Sequence, residues 1–206
     1  GMALPGTAAI PAIHADRLRA AEASGAQAVH LAQIDRDKQL TPKKIITPAS
    51  VENALRILLA VGGSTNAIIH LTAIAGRLGI PIPLQQLNKL SDETPVLIDL
   101  KPTGDHYMED LFKAGGLGVV LRELKPLLNL ECLSVTGETL DERLQSEPAY
   151  VNREVVRSFD SPIQKMGGLV SLFGSLEPGG AILKRSAADP TLFESEGKAV
   201  VFKSLE

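Results

Sequence analysis

Cys132 is the only cysteine in the 206 residues. No disulfide can close within the chain, which fits a reducing, cytoplasmic setting. A cysteine-ligated iron–sulfur cluster usually takes several thiolates, more than one residue supplies. Cys132 lies in the apolar run 130–135 and reads as a buried small hydrophobe. Tryptophan is missing and aromatics make up 3% of the chain. Stacking of bases on aromatic platforms is therefore not expected. The formal net charge is −3, so no basic field draws nucleic acid. Lys43-Lys44 and Lys184-Arg185 are isolated pairs that read as solvated surface. The longest apolar run, 57–61, falls far short of the roughly 20 residues that span a bilayer. No basic segment leads into an apolar one near the start, so no signal peptide is expected. Gly1 reads as an addition ahead of a start methionine. Nucleic acid and membrane both drop out as partners.

What is present is ordinary globular material, 44% apolar and 22% charged, enough for one core or one domain plus part of another. Helical spacing runs over 14–33, 48–61, 64–77, 83–90, 106–113 and 117–124, with a short helix at 139–144. Gly25 weakens the first helix or admits a close neighbour. Thr41-Pro42 and Thr47-Pro48 are helix starts, threonine capping and proline in the first turn. A charged turn is expected at 35–38. The run 95–100 reads as a buried strand and 133–136 as a short one. Helices alternating with strands indicate an α/β arrangement.

From residue 145 the texture changes. Residues 146–153 read as a linker. Short runs at 154–159, 169–173, 181–184 and 199–203 read as strands between Gly/Pro turns. The expectation is a helix-rich α/β unit over 1–145, followed by the start of a β-rich domain over 154–206 that packs separately.

The chain is organised around Gly62-Gly63-Ser64-Thr65-Asn66. Apolar helical periods precede and follow it, and both helices are expected to be buried. Glycine readily takes the left-handed conformation that ends a helix. Ser64 then caps the next helix by accepting from an N–H two or three residues on. Such a terminus suits a carboxylate or phosphate. A plain connector between two helices is the other reading of the same five residues.

Four histidines are present. His14 lies near a helix start. His30 and His70 lie within helices without a second ligand at metal spacing, and read as packed or surface residues. His106 follows the turn after a strand, with Glu109 and Asp110 within one helical turn. Histidine and carboxylates at a strand's carboxyl end can hold a metal or a polar substrate. Acids complementing a helix N-terminus are the plainer alternative. No Gly-x-Ser-x-Gly elbow, Walker loop or dinucleotide fingerprint occurs.

Gly62-Gly63-Ser64-Thr65-Asn66-Ala67-Ile68-Ile69-His70-Leu71 resembles a hallmark segment of the dihydroxy-acid dehydratase and phosphogluconate dehydratase family. Three further stretches agree in order and approximate spacing. They are Leu4-Pro5-Gly6-Thr7 leading to His14-Ala15-Asp16-Arg17, then Tyr107-Met108-Glu109-Asp110 with Ala114-Gly115-Gly116. The last is Gly167-Gly168-Leu169 with Phe173-Gly174-Ser175-Leu176 and Pro178-Gly179-Gly180-Ala181. The resemblance covers a middle portion of a family protein.

It implies a hydro-lyase that dehydrates dihydroxy or sugar acids, of dihydroxy-acid, arabinonate or phosphogluconate type, to keto acids. The family uses a cysteine-held iron–sulfur cluster and magnesium; the metal acts as a Lewis acid and a base takes the proton beside the carboxylate. Its cluster cysteines, magnesium ligands and serine base match no residue of this sequence. No catalytic or metal residue is assigned, no cofactor is expected in this chain, and the chain alone is expected to be inactive. The substrate-pocket candidates are Gly63, Ser64, Thr65, Asn66, His106 and Glu109. The expected partners are a small hydroxy acid in the full-length family and a second copy of the chain, through self-association or a homo-oligomer. Residues 98–104 and 117–121 tilt the resemblance toward sugar acids over branched-chain amino-acid biosynthesis. The alternatives are a non-catalytic binding module reusing the dehydratase scaffold, or a truncated piece with no function of its own.

Overall fold

The computed structural model describes residues 1–34, 38–146, 149–202 and 204. Most of the expected charged turn at 35–38, two linker residues and Lys203 lie outside the described residues. The fold is a helix-rich α/β unit. Its helices are α1 (Asp16–Gln33), α2 (Pro42–Ile45), α3 (Pro48–Ala60), α4 (Thr65–Gly76), α5 (Leu84–Glu93), α6 (Met108–Lys113), α7 (Gly116–Glu123) and α8 (Leu140–Ser146). Strands β1 (Val170–Leu172) and β2 (Ala181–Leu183) pair antiparallel, with Val170 opposite Leu183 and Leu172 opposite Ala181.

Helix starts follow the local chemistry. Thr47 accepts from the Ser50 N–H at 3.2 Å while the Ser50 hydroxyl accepts from the Thr47 N–H at 2.8 Å, a closed capping box ahead of α3. Pro42 opens α2 as expected, but the Thr41 side chain makes no cap bond.

Two apolar cores form. Leu97, Leu100, Leu111, Val119, Val120 and Leu124 anchor the first. Leu55, Leu59, Leu87, Leu90 and Ile68 anchor the second, between α3, α4 and α5. The run 95–100 is extended and buried, but it makes single bridges rather than a ladder: Val96 with Gln164, Ile98 with Val156, and Leu100 with His106. Its backbone bonds are shared among several neighbours, with Leu97 N–H going to Ala60 at 2.9 Å and Asp99 N–H to Val155 at 2.9 Å. No one partner runs alongside long enough to make a strand. Residues 133–136 likewise form only a bridge, Leu133 to Thr139.

Three expectations change in the region beyond 153. Among the described residues its only strands are β1 and β2. Residues 154–159 make the one bridge at Val156, and 199–202 form no strand. Nor does this region pack apart: Val155 and Val156 sit in the first core and Leu169 in the second. A short hairpin has too little apolar surface to bury these residues by itself, so the helical unit takes them.

Helix α4 is also less buried than its composition suggests. It buries Ile68 and Ala75 but leaves Ile69 66% and Ile74 50% exposed. Helix α1 buries no residue, leaves Leu18 and Val29 exposed, and nothing approaches Gly25.

Candidate functional site

The five-residue break does what its composition asks. Helix α3 ends at Ala60, and Gly62 and Gly63 follow with φ of 93° and 82°, in the left-handed region glycine tolerates. Ser64 then accepts from the Ala67 N–H at 3.4 Å, a long cap bond, and α4 begins at Thr65.

What holds this knot comes from far along the chain. Gly168 N–H donates to Leu59 O at 3.2 Å, and Ser186 N–H donates to Gly168 O at 3.2 Å. The Ser186 hydroxyl donates to Gly62 O at 2.7 Å. A Cβ on Gly63 would strike the Leu169 side chain, so the approach is of backbone on side chain. Helix α5 fastens the other side. Ser91 O accepts from Gly167 N–H at 2.7 Å, and the Ser91 hydroxyl donates to Leu169 O at 2.5 Å. Arg185 donates to Gly167 O at 3.0 and 3.2 Å and to the Ser91 hydroxyl at 3.0 Å. Asn88 pairs with Ser171 through both amide atoms, at 2.8 and 2.6 Å. Arg185 is thus a structural clamp and not the solvated surface residue expected.

Beside this docking lies a cavity of about 240 Å³, to which the late segment contributes Lys184. Gly63 lines it, with Lys101, Thr103 and Lys184 as its polar wall and Leu100 and Leu111 among its apolar one. Lys101 donates to the Tyr107 hydroxyl at 2.9 Å, with its ammonium 4.4 Å from that ring's centre. Lys184 is half-buried and has no carboxylate in ion-pair range among the described residues.

The expected pocket residues are only partly brought together. Gly63 lines the cavity; Ser64, Thr65 and Asn66 are exposed at the α4 start next to it. His106 lies ahead of α6, outside the helix, and Glu109 lies on its exposed face, so the two do not converge with Asp110 as one helical turn would place them. His106 Nδ1 is buried 3.6 Å from Asp99 Oδ2, beyond hydrogen-bond reach. Glu109 pairs with Lys113 at 2.6 Å, and that contact raises the lysine pKa. Asp110 instead accepts from the Tyr107 N–H at 2.8 Å, closing the helix start. Among the described residues no group of three or more His, Cys, Asp or Glu is placed to hold a metal. His30 and His70 are exposed. His14 packs edge-on against Phe112, with ring centres 5.0 Å apart.

Neither Lys101 nor Lys184 is a pocket candidate from sequence: Lys101 stands out only as part of the 98–104 run, and Lys184 reads as solvated surface. The fold brings their segments to one cavity. Cys132 is half-buried beside a separate cavity between α3 and α7, and burial pushes its thiol pKa up. One half-buried, protonated thiol does not fit the several thiolates of an iron–sulfur cluster. Among the described residues no helix is long and apolar enough to cross a membrane.

Fold and site together define a helix-rich α/β scaffold whose late segment docks on a glycine knot beside a small, cation-lined cavity. The family model described as dihydroxy-acid/6-phosphogluconate dehydratase N-terminal matches residues 1–143, and its C-terminal counterpart matches 154–206. The chain belongs to the dihydroxy-acid/6-phosphogluconate dehydratase family. It is 41% identical to a dihydroxy-acid dehydratase of Caldanaerobacter subterraneus subsp. tengcongensis, over all of this chain and 36% of that protein. It is 44% identical to a dihydroxy-acid dehydratase of Caldicellulosiruptor bescii, over all of this chain and 37% of that protein. It is also 44% identical to an L-arabonate dehydratase of Azospirillum brasilense, over all of this chain and 35% of that protein. The chain spans a little over a third of the length of the curated relatives it matches.

Proposed function

We propose that this chain supplies scaffold and pocket lining to a hydro-lyase that removes water from a dihydroxy or sugar acid to give a keto acid. One observation carries the reading. Segments matched by the N-terminal and the C-terminal family models meet at Gly62, Gly63 and Gly168, and a small cavity lies at that joint. Small-molecule sites tend to lie where separate units meet. In this reading Gly63 is pocket wall, and Ser64, Thr65 and Asn66 offer the N-terminal N–H groups of α4 beside it.

The cluster and magnesium of the full-length enzyme are held by residues outside this chain. Elimination of hydroxide needs such a Lewis-acidic centre and a placed base, and the chain by itself carries out no turnover. The test is anaerobic cluster reconstitution of the purified chain, with iron, sulfide and keto acid measured against L-arabonate and a branched dihydroxy acid. The expected result is neither stoichiometric cluster nor product. A loaded cluster with turnover would place the chemistry in residues assigned here to scaffold.

A further inference from the structure

We propose that Lys184 and Lys101 form an anion subsite that holds the carboxylate of a small hydroxy acid; this rests on the hydroxy-acid reading above. Both lysines line the 240 Å³ cavity beside Gly63. Neither has a carboxylate in ion-pair range among the described residues, and the Lys101 ammonium meets the neutral Tyr107. Lys101 is exposed and Lys184 half-buried, and both line the cavity beside the apolar wall of Val61, Leu100, Leu111 and Leu117. A small anion entering there meets two cationic side chains that can pair with it.

The volume restricts the ligand. It falls just below the roughly 300–1,000 Å³ of common small-molecule pockets, so an acid of a few carbons fits and a nucleotide does not. Thr103 adds a hydroxyl to the wall, a partner for a substrate hydroxyl, while its own hydroxyl is 3.3 Å from Leu100 O. The two lysines arrive from opposite sides of the joint, Lys101 from the turn after 95–100 and Lys184 from the end of β2. An anion bridging them therefore also tightens the docking of the late segment on the glycine knot.

The experiment is a titration of the ¹⁵N-labelled chain with L-arabonate, its neutral amide, and inorganic phosphate. L-arabonate is expected to shift the amide resonances of Gly63, Thr103 and Lys184. The amide should bind about tenfold more weakly or less, as should L-arabonate to Lys184→Met or Lys101→Met, the scale of a lost charge-assisted contact. Lys184→Arg should retain binding. Equal binding of acid and amide, or unchanged affinity in both methionine variants, overturns the subsite. So does the absence of shifts with L-arabonate. The comparison of acid with amide uses the unsubstituted chain, so it decides the question even if a variant misfolds. Phosphate binding at the same residues as tightly as L-arabonate would support the anion subsite and count against the hydroxy-acid reading.

Discussion

Gly168 lies so close to the Gly62 carbonyl that any side chain on Gly168 would occupy the space of that carbonyl. The obstacle is backbone, which cannot swing aside as a side-chain tip can. Gly168→Ala is expected to lose at least about 1–3 kcal/mol, the range of overpacked sites. Urea unfolding measures the loss, and limited proteolysis should show 167–202 becoming the first region cut. Unchanged unfolding and cutting would mean that the late segment does not dock on the knot.

Ser64 is a weaker contributor. Its cap bond to Ala67 is 3.4 Å long and exposed. Ser64→Ala is expected to cost about 0.5 kcal/mol, the low end for lost caps. Thr47, with its closed capping box, should cost about 1 kcal/mol or more on the same substitution. Thermal unfolding of the two variants checks the order, and the reverse order would contradict it.

Burial raises the Cys132 thiol pKa above its ordinary value of 9.0. Alkylation by iodoacetamide at neutral pH should therefore be slower than for the urea-unfolded chain. The sign for stability follows. The folded state favours the protonated thiol, so its contribution is complete below the unfolded pKa and declines as pH rises from about 9 toward the folded value. Cys132→Ala should remove that decline. A folded-state alkylation rate equal to the unfolded one would contradict the shift.

Helices α1 and α4 leave Leu18, Val29, Ile69 and Ile74 exposed. Large apolar side chains left exposed on a helix can pair with a second copy where they form a patch. Sedimentation at rising concentration is expected to show self-association, and Ile69→Glu with Ile74→Glu should reduce it. A strictly monomeric wild-type chain would rule this out.

Much of this architecture was legible in local chemistry. The Thr47 cap, the Gly62-Gly63 stop and the Ser64 restart each depend on neighbours within four residues, so composition and spacing determine them. The strands were harder. Val96, Leu97 and Ile98 are buried as their composition demands, but whether a buried extended run becomes a ladder depends on partners distant in sequence. Helix α4 misled in the other direction, since an apolar helix is buried only as far as other elements cover it. The site was half visible. Gly63 announced itself by its place between two helical periods. Lys184 and Arg185 looked like any surface pair, because nothing within their own segment reveals that Ser186 reaches Gly62 or that Arg185 reaches Ser91.

The account depends on the knot at 62–66 and the segment at 167–186 forming one hydroxy-acid pocket. Amide hydrogen exchange of the purified chain, with and without saturating L-arabonate, tests that most directly. The account predicts added protection in 61–66, 100–103 and 167–186 together, with α1 and α8 unaffected. Protection confined to one of those segments, or appearing instead around Cys132 between α3 and α7, would contradict it.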